Sequence, residues 1–253
     1  MSPATVMEDP IHHSQANLKT ERPGATPSIP PDLTSSWRQD VHFLGDKDGK
    51  VELRSPPTFN NISDTRTHLK QHLAAAFRVF ARQGFNEGHS PSTAPSTTPD
   101  PDLNAACHAH SVYGKAFSCF GRPIEMLHQD ALRFYNDLAV YPRYGGTVLT
   151  TEEGDRIAAA LGPTCRSVIL QNHGMITCGR TVDEAAFLFI TLDRCCHAQL
   201  LANAAVCPGF EKKYIPDEQA EFGHRRSGNA NKMWLAFQPY YEQVVKEEPG
   251  LLL

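Results

Sequence analysis

The chain has 253 residues, a formal net charge of −4 and 40% hydrophobic residues, which suits one sizeable domain with tails. That charge gives no electrostatic reason to expect nucleic acid or an anionic membrane as partner. No apolar stretch approaches the roughly 20 residues of a bilayer span, and Met1 to Ser14 lacks the basic-then-apolar pattern of a secretory signal.

Seven cysteines, odd in number, dispersed and without a Cys-x-x-Cys pair, argue against a disulfide framework or a zinc ribbon. Reduced thiols in a cytoplasmic protein are the expectation.

Residues 1–60 are rich in Pro, Ser, Thr, Asp and His and read as a flexible arm. Its pair His12 and His13 reads as part of a solvated tail rather than as ligands. A domain is expected over 61–240, followed by a tail over 241–253. The first helix is predicted from Thr65 to Gln83, capped by Ser63 or Asp64. Leu69, Leu73, Ala76, Phe77 and Phe80 lie on its apolar side, and Gly84 ends it. The four prolines of the stretch 90–102 then predict an exposed connector, neither helix nor central strand.

From Leu103 onward the pattern is that of a compact α/β unit. A strand is predicted over Asn104–His110 and a helix over Val112–Phe120, with a brief strand at Thr147–Leu149. Thr150 and Glu153 form a capping-box pattern for a helix through Leu161. Strands at Ser167–Gln171 and Gly174–Cys178 flank a tight turn. Thr181 and Glu184 repeat the capping pattern before a long helix to Ala205, striped with Ala185, Phe189, Leu192, Cys196 and Leu200. Cys195-Cys196-His197 reads as packing in that helix. Trp234, Phe237 and Tyr240 make the C-terminal region apolar enough to dock, for instance on a neighbouring subunit. There is no internal repeat.

The chemistry concentrates in Cys107-His108-Ala109-His110-Ser111. On a strand, alternate side chains share a face, so His108 and His110 project together, about 7 Å apart, while Cys107 projects to the other side. Alone, such a pair also fits two half-exposed strand residues. The run Val168-Ile-Leu-Gln-Asn-His-Gly174 adds His173 at a strand end, where the sites of α/β folds are commonly built. It equally fits a plain hairpin turn. Three neutral imidazoles with an open position are a ligand set for catalytic zinc and related ions.

Ala105-Ala-Cys-His-Ala-His-Ser-Val-Tyr-Gly114, Ile169-Leu-Gln-Asn-His-Gly174 and Gly179-Arg-Thr-Val-Asp-Glu-Ala185 together resemble the metal motifs and following helix of the class II aldolase/adducin family, closest to its fungal-type branch. The resemblance covers about Leu69–Gly88 and Pro101–Ala205. It implies a three-layer α/β/α sandwich around a mostly antiparallel sheet, commonly assembled as a homo-oligomeric ring of four subunits. It also implies a divalent ion on His108, His110 and His173, most often Zn2+, with Mn2+ and Fe2+ as the other candidates. In the family's enzymes that ion polarises a carbonyl and stabilises an enediolate during cleavage or epimerisation of phosphorylated sugars. His128-Gln129-Asp130 resembles the epimerases' His-x-Asp setting, which makes Asp130 the candidate acid/base; a plain surface aspartate fits equally.

The resemblance is interrupted. Family members carry about eighty residues between the first helix and the first metal motif, including a phosphate-cradling loop and, in aldolases, a glutamate acid/base. Here Asn86-Glu-Gly-His89 runs straight into the connector, so the N-terminal half of the fold is expected to be incomplete. The leading expectation is a metal-dependent aldolase-like lyase, or related enolate-forming enzyme, acting on a small carbonyl or hydroxy-acid substrate, with a place in fungal secondary metabolism. The alternative is a catalytically inactive adducin-like interaction module or truncated paralogue.

Overall fold

The computed structural model describes residues 43–44, 51–52, 54–85, 92–94, 102–144 and 151–252. His12, His13 and the predicted strand at Thr147–Leu149 lie outside the described residues. Within the predicted arm, β1 (Phe43–Leu44) and β2 (Val51–Glu52) pair antiparallel.

Helix α1 runs Ile62–Arg82. Its cap is Asn61, not Ser63 or Asp64: the Asn61 side chain accepts the Asp64 amide at 2.8 Å, a bond only the residue three positions earlier can make. At the other end Gly84 takes φ +74°, Gly84 N donates to Ala81 O and Phe85 N to Phe80 O. These two reversed bonds close the last turn as the glycine predicted. The buried stripe is rotated from the expected one. His72, Ala75, Ala76, Val79 and Phe80 face inward while Leu69 is exposed. The cause is His72, which is buried because its Nδ1 meets Asp183 Oδ1 at 2.7 Å and its ring stacks on Tyr241.

Five strands form the main sheet in the order β3-β4-β7-β6-β5. They are β3 (Ser92–Ala94), β4 (Ala105–Ala109), β5 (Leu138–Tyr141), β6 (Ser167–Leu170) and β7 (Gly174–Gly179). All pairings are antiparallel except β5 with β6. The predicted connector is therefore corrected in part: Ser92–Ala94 lines up with Ala106–His108 as an edge strand. An edge is the one place in a sheet where proline-flanked sequence is tolerated.

One sheet face, through Ala105, Cys107, Ala109, Ile169 and Met175, packs on α1, α2 (Val112–Ser118), α4 (Val182–Ala205) and α6 (Ala230–Glu247). The other, through Ala106, Val168, Leu170, Ile176 and Cys178, packs on α3 (Thr151–Leu161). This is a three-layer α/β/α fold with unequal helical layers. The larger core contains Phe80, Phe85 and Phe189 with ring centroids 5.0–5.3 Å apart, each pair contributing about 0.5–1.5 kcal/mol beyond area burial.

Helix α4 is long and apolar enough to cross a membrane, contrary to the expectation from composition. Burial between the sheet and α1, α2 and α6 accounts for that composition. Its predicted N-cap holds, with Thr181 Oγ1 accepting the Glu184 amide at 3.1 Å. The reciprocal half of the capping box is absent, because the Glu184 carboxylate accepts from Arg166 and from the Arg180 amide instead. Phe237 is buried in the chain's own core, with Tyr240 packed against it, and Trp234 is buried too, so within this chain these rings are already covered.

Candidate metal centre

β4 places Ala105, Cys107 and Ala109 toward the larger core and His108 toward the opposite face, the alternation expected of a strand. His110 follows just past the strand end. The register of β4 with β7 sets Ala109 beside Met175, and that of β6 with β7 sets Leu170 beside Gly174. Residues 171–173 therefore turn directly next to His110. That turn is tied at three points: Gln171 N donates to Tyr141 O, Asn172 N to Ser118 O and His173 N to Leu170 O. Asn172 takes φ +59°, a left-handed conformation that asparagine tolerates better than most side chains. Gly174 then takes φ +155°, a backbone conformation that side-chain-bearing residues rarely adopt.

The three predicted histidines come together. Their ring centroids form a near-equilateral triangle with sides of 5.0–5.1 Å, and one ligand nitrogen from each lies within 4.8 Å of the others. Among the described residues no other trio of His, Cys, Asp or Glu does this. His110 Nε2 and His173 Nε2 are 3.0 Å apart, close to the edge of about 3.3 Å expected for two nitrogens around one tetrahedral zinc. His108 Nδ1 is 2.9 Å from Met175 O. A carbonyl can only accept, so the proton is on Nδ1 and the Nε2 lone pair is left for a cation. The donor set thus fits a divalent metal.

Asp130 stands outside this group. It lies in a 3-10 segment, Gln129–Phe134, with an exposed side chain paired to Arg133. Sequence reasoning missed Asp193, a buried carboxylate in the middle of α4 that accepts the Gly114 amide at 3.1 Å. A charged residue inside an otherwise apolar helical run was the available signal.

Burial pushes His108 down to about 4, the hydrogen bond to Met175 O opposing and the neighbouring His173 and His110 adding to the fall. His173 is lowered by burial and then by His110. A histidine depressed in the fold stabilises it fully above its ordinary value of 6.5, and that contribution fades as the pH drops toward about 4, where only the unfolded chain takes up the proton readily. The metal-free protein is therefore expected to lose on the order of 3 kcal/mol between pH 7 and pH 4.5 from this group. Melting in chelator across that range checks it, and a flat profile would contradict the burial of His108.

The sequence profile of the Class II Aldolase and Adducin N-terminal domain matches residues 98–200. The chain is 32% identical over 262 residues to "Decarboxylase NovR" of Streptomyces niveus, covering 82% of this chain and 95% of that protein. The chain belongs to the class II aldolase/adducin family. A second relative of this aldolase/adducin chain, the "4-hydroxy-3-prenylphenylpyruvate oxygenase/4-hydroxy-3-prenylbenzoate synthase" of Streptomyces roseochromogenus subsp. oscitans, is also 32% identical, over 82% of this chain and 93% of its own length. Among solved structures, L-fuculose 1-phosphate aldolase from Glaciozyma antarctica superposes with a TM-score of 0.66 at 28% identity, covering 78% of this chain and 96% of that one.

The family is generally divalent-metal dependent, in keeping with the triad. In the NovR alignment about 207 residues of this 253-residue chain are spread over 262 positions, which leaves about 55 without a counterpart.

Proposed function

We propose that this chain is a metal-dependent carbon–carbon lyase whose substrate is a small, non-phosphorylated carbonyl or hydroxy acid, with loss of carbon dioxide as its reaction. Membership of the family, with decarboxylase and aldolase relatives, supports the coarser statement that it is a lyase-type enzyme. The finer reading is carried by the triad: three imidazoles from two strands facing one point, with the tautomer of His108 set by Met175 O.

His108, His110 and His173 would hold the ion, with zinc first by ligand set and manganese or iron next. When bound, such an ion would polarise a carbonyl oxygen and so take up the electron pair left behind as a nearby carbon–carbon bond breaks. The protein's part is to keep ligand nitrogens unprotonated, and burial lowers the pKa of His108 and of His173 in that direction. It also leaves at least one coordination position for a substrate oxygen, since among the described residues three protein ligands converge. Two observations favour an acid over a sugar phosphate. Relatives named for decarboxylation and benzoate synthesis align over nearly their whole lengths, and Asn86 to His89 lead into Pro- and Ser-rich sequence with no phosphate-cradling loop.

The purified chain, loaded separately with Zn2+, Mn2+ and Fe2+, is to be offered aromatic 2-keto and 2-hydroxy acids beside L-fuculose 1-phosphate. Carbon dioxide release from an acid, abolished by chelator, is the expected result. Aldehyde release from the sugar phosphate alone would make it an aldolase in the narrow sense, and inertness toward both classes with metal bound would overturn the proposal.

A further inference from the structure

His110 is followed at once by the N-terminus of α2, so whatever fixes the first turn of that helix also fixes the ligand. Ser111 occupies the cap position with extended backbone, yet its side chain makes no capping bond. The amide that such a cap would normally satisfy, Gly114 N–H at the third helical position, donates instead to Asp193 Oδ1 at 3.1 Å. The carboxylate reaches it from the middle of α4 and is buried, with 5% of the residue exposed. Four residues further along α4, the His197 ring lies flat on Tyr113, with centroids 3.6 Å apart and planes within 5°. One helix thus holds the first turn of α2 at two adjacent residues.

The same turn presses on the other ligands' supports. A β-carbon at Gly114 would sit 2.6 Å from Ser111 Oγ and 3.1 Å from Met175 Cε. Met175 is the residue whose carbonyl orients His108. Gly114 thus lies between Asp193, which takes its amide, and the side chains of Ser111, next to His110, and Met175, whose carbonyl meets the His108 ring. Burial raises the Asp193 pKa, and the nearby Ser111 hydroxyl and the Gly114 amide pull it back; of the two, the Gly114 amide makes the hydrogen bond. A hydroxyl on Ser111 could have capped α2 locally. A charged group taken from a distant helix costs more to bury and fixes α2 to α4 as well as ending it.

We propose that Asp193 is a positioning residue for the metal centre: by capping α2 from α4 it holds His110 at the spacing that lets it share one cation with His108 and His173. The inference rests on the metal-binding reading of the triad and adds to it the group that keeps the site assembled.

The test uses the full chain and Co2+ alone as probe, since its visible absorption reports ligand number and geometry. D193N keeps an oxygen able to accept the Gly114 amide. D193A and D193S cannot reach it. The expected result is that wild type and D193N bind Co2+ with similar affinity and matching spectra. D193A and D193S are expected to bind about 10- to 100-fold more weakly, as loss of an outer-shell partner does, with an altered spectrum and an unchanged far-ultraviolet circular dichroism. Wild-type affinity and spectrum in D193A would overturn the positioning role and leave the metal centre standing. Absence of Co2+ binding by wild type would remove the metal centre and the inference together. Unfolding of both D193A and D193S, with D193N folded, would reduce Asp193 to a stability element and overturn the proposal as well.

Discussion

His173→Ala is expected to weaken divalent-metal binding by more than about 100-fold, beyond what loss of an outer-shell partner costs, and to abolish any metal-dependent turnover. His173 is the only ligand supplied by the turn between β6 and β7. The other two come from β4 or the residue after it, and a pair of nitrogens from one segment cannot replace a third direction. Removing the ring leaves the fold intact, because the turn is held by the backbone bonds of Gln171, Asn172 and His173 rather than by the imidazole. It also relieves crowding, since His173 sits 3.0 Å from His110 and depresses His108. The variant should therefore melt in chelator at or slightly above the wild-type temperature, while losing the upward shift that Zn2+ gives the wild type. Calorimetric titration with Zn2+ and melting with and without the ion separate the two effects. A His173→Ala protein that still takes up one equivalent of Zn2+ at wild-type affinity would show that the triangle is not the metal site.

Arg166→Ala is expected to destabilise the protein by about 3–5 kcal/mol, the usual cost of leaving buried charges without their counter-ion. Arg166 Nε bonds Asp137 Oδ2 and Nη1 bonds Glu184 Oε1, both at 2.8 Å, and its amide bonds Asp137 Oδ1. All three side chains are nearly inaccessible. Burial works against the guanidinium's charge, but Asp137 and Glu184 outweigh it and hold its pKa above the ordinary value. Without it two carboxylates are stranded between the start of β6 and the start of α4. For a domain of this size the melting temperature should fall by roughly 10 °C. Arg54→Ala, which removes the exposed pair with Glu242 at 2.8 Å, is the contrasting case and should change stability by under about 1 kcal/mol. Similar losses in both variants would contradict the difference in burial.

The convergence of the three histidines was legible in the sequence because its signal is local. His-x-His needs only strand alternation to share a face, and His173 needs only a polar turn after an apolar run. The long α4 and its Thr181 cap were legible for the same reason. The elements that escaped prediction are those decided by tertiary context. β5 is four residues long, and its neighbour β6 pairs with it in parallel across α3. Helix α6 contains Pro239, which breaks the helical reading of Trp234, Phe237 and Tyr240. The structure accommodates it with one missing bond, because the helix is held by packing of Met233, Phe237 and Val244 in the core. Asp193 was legible only as an anomaly, since its partner Gly114 is 79 positions away.

The short strand β3 has an outsized effect for three residues. β4 carries His108, and on its far side from β7 its peptide groups would be bare, ready to join a strand from any other molecule. Ser92–Ala94 occupies that side opposite Ala106–His108. In the sequence it is flanked by Pro91 and Pro95, residue types that lack an amide hydrogen. Three residues thus act as a stopper on that flank, so that the strand carrying His108 is paired on both sides, to β3 and to β7.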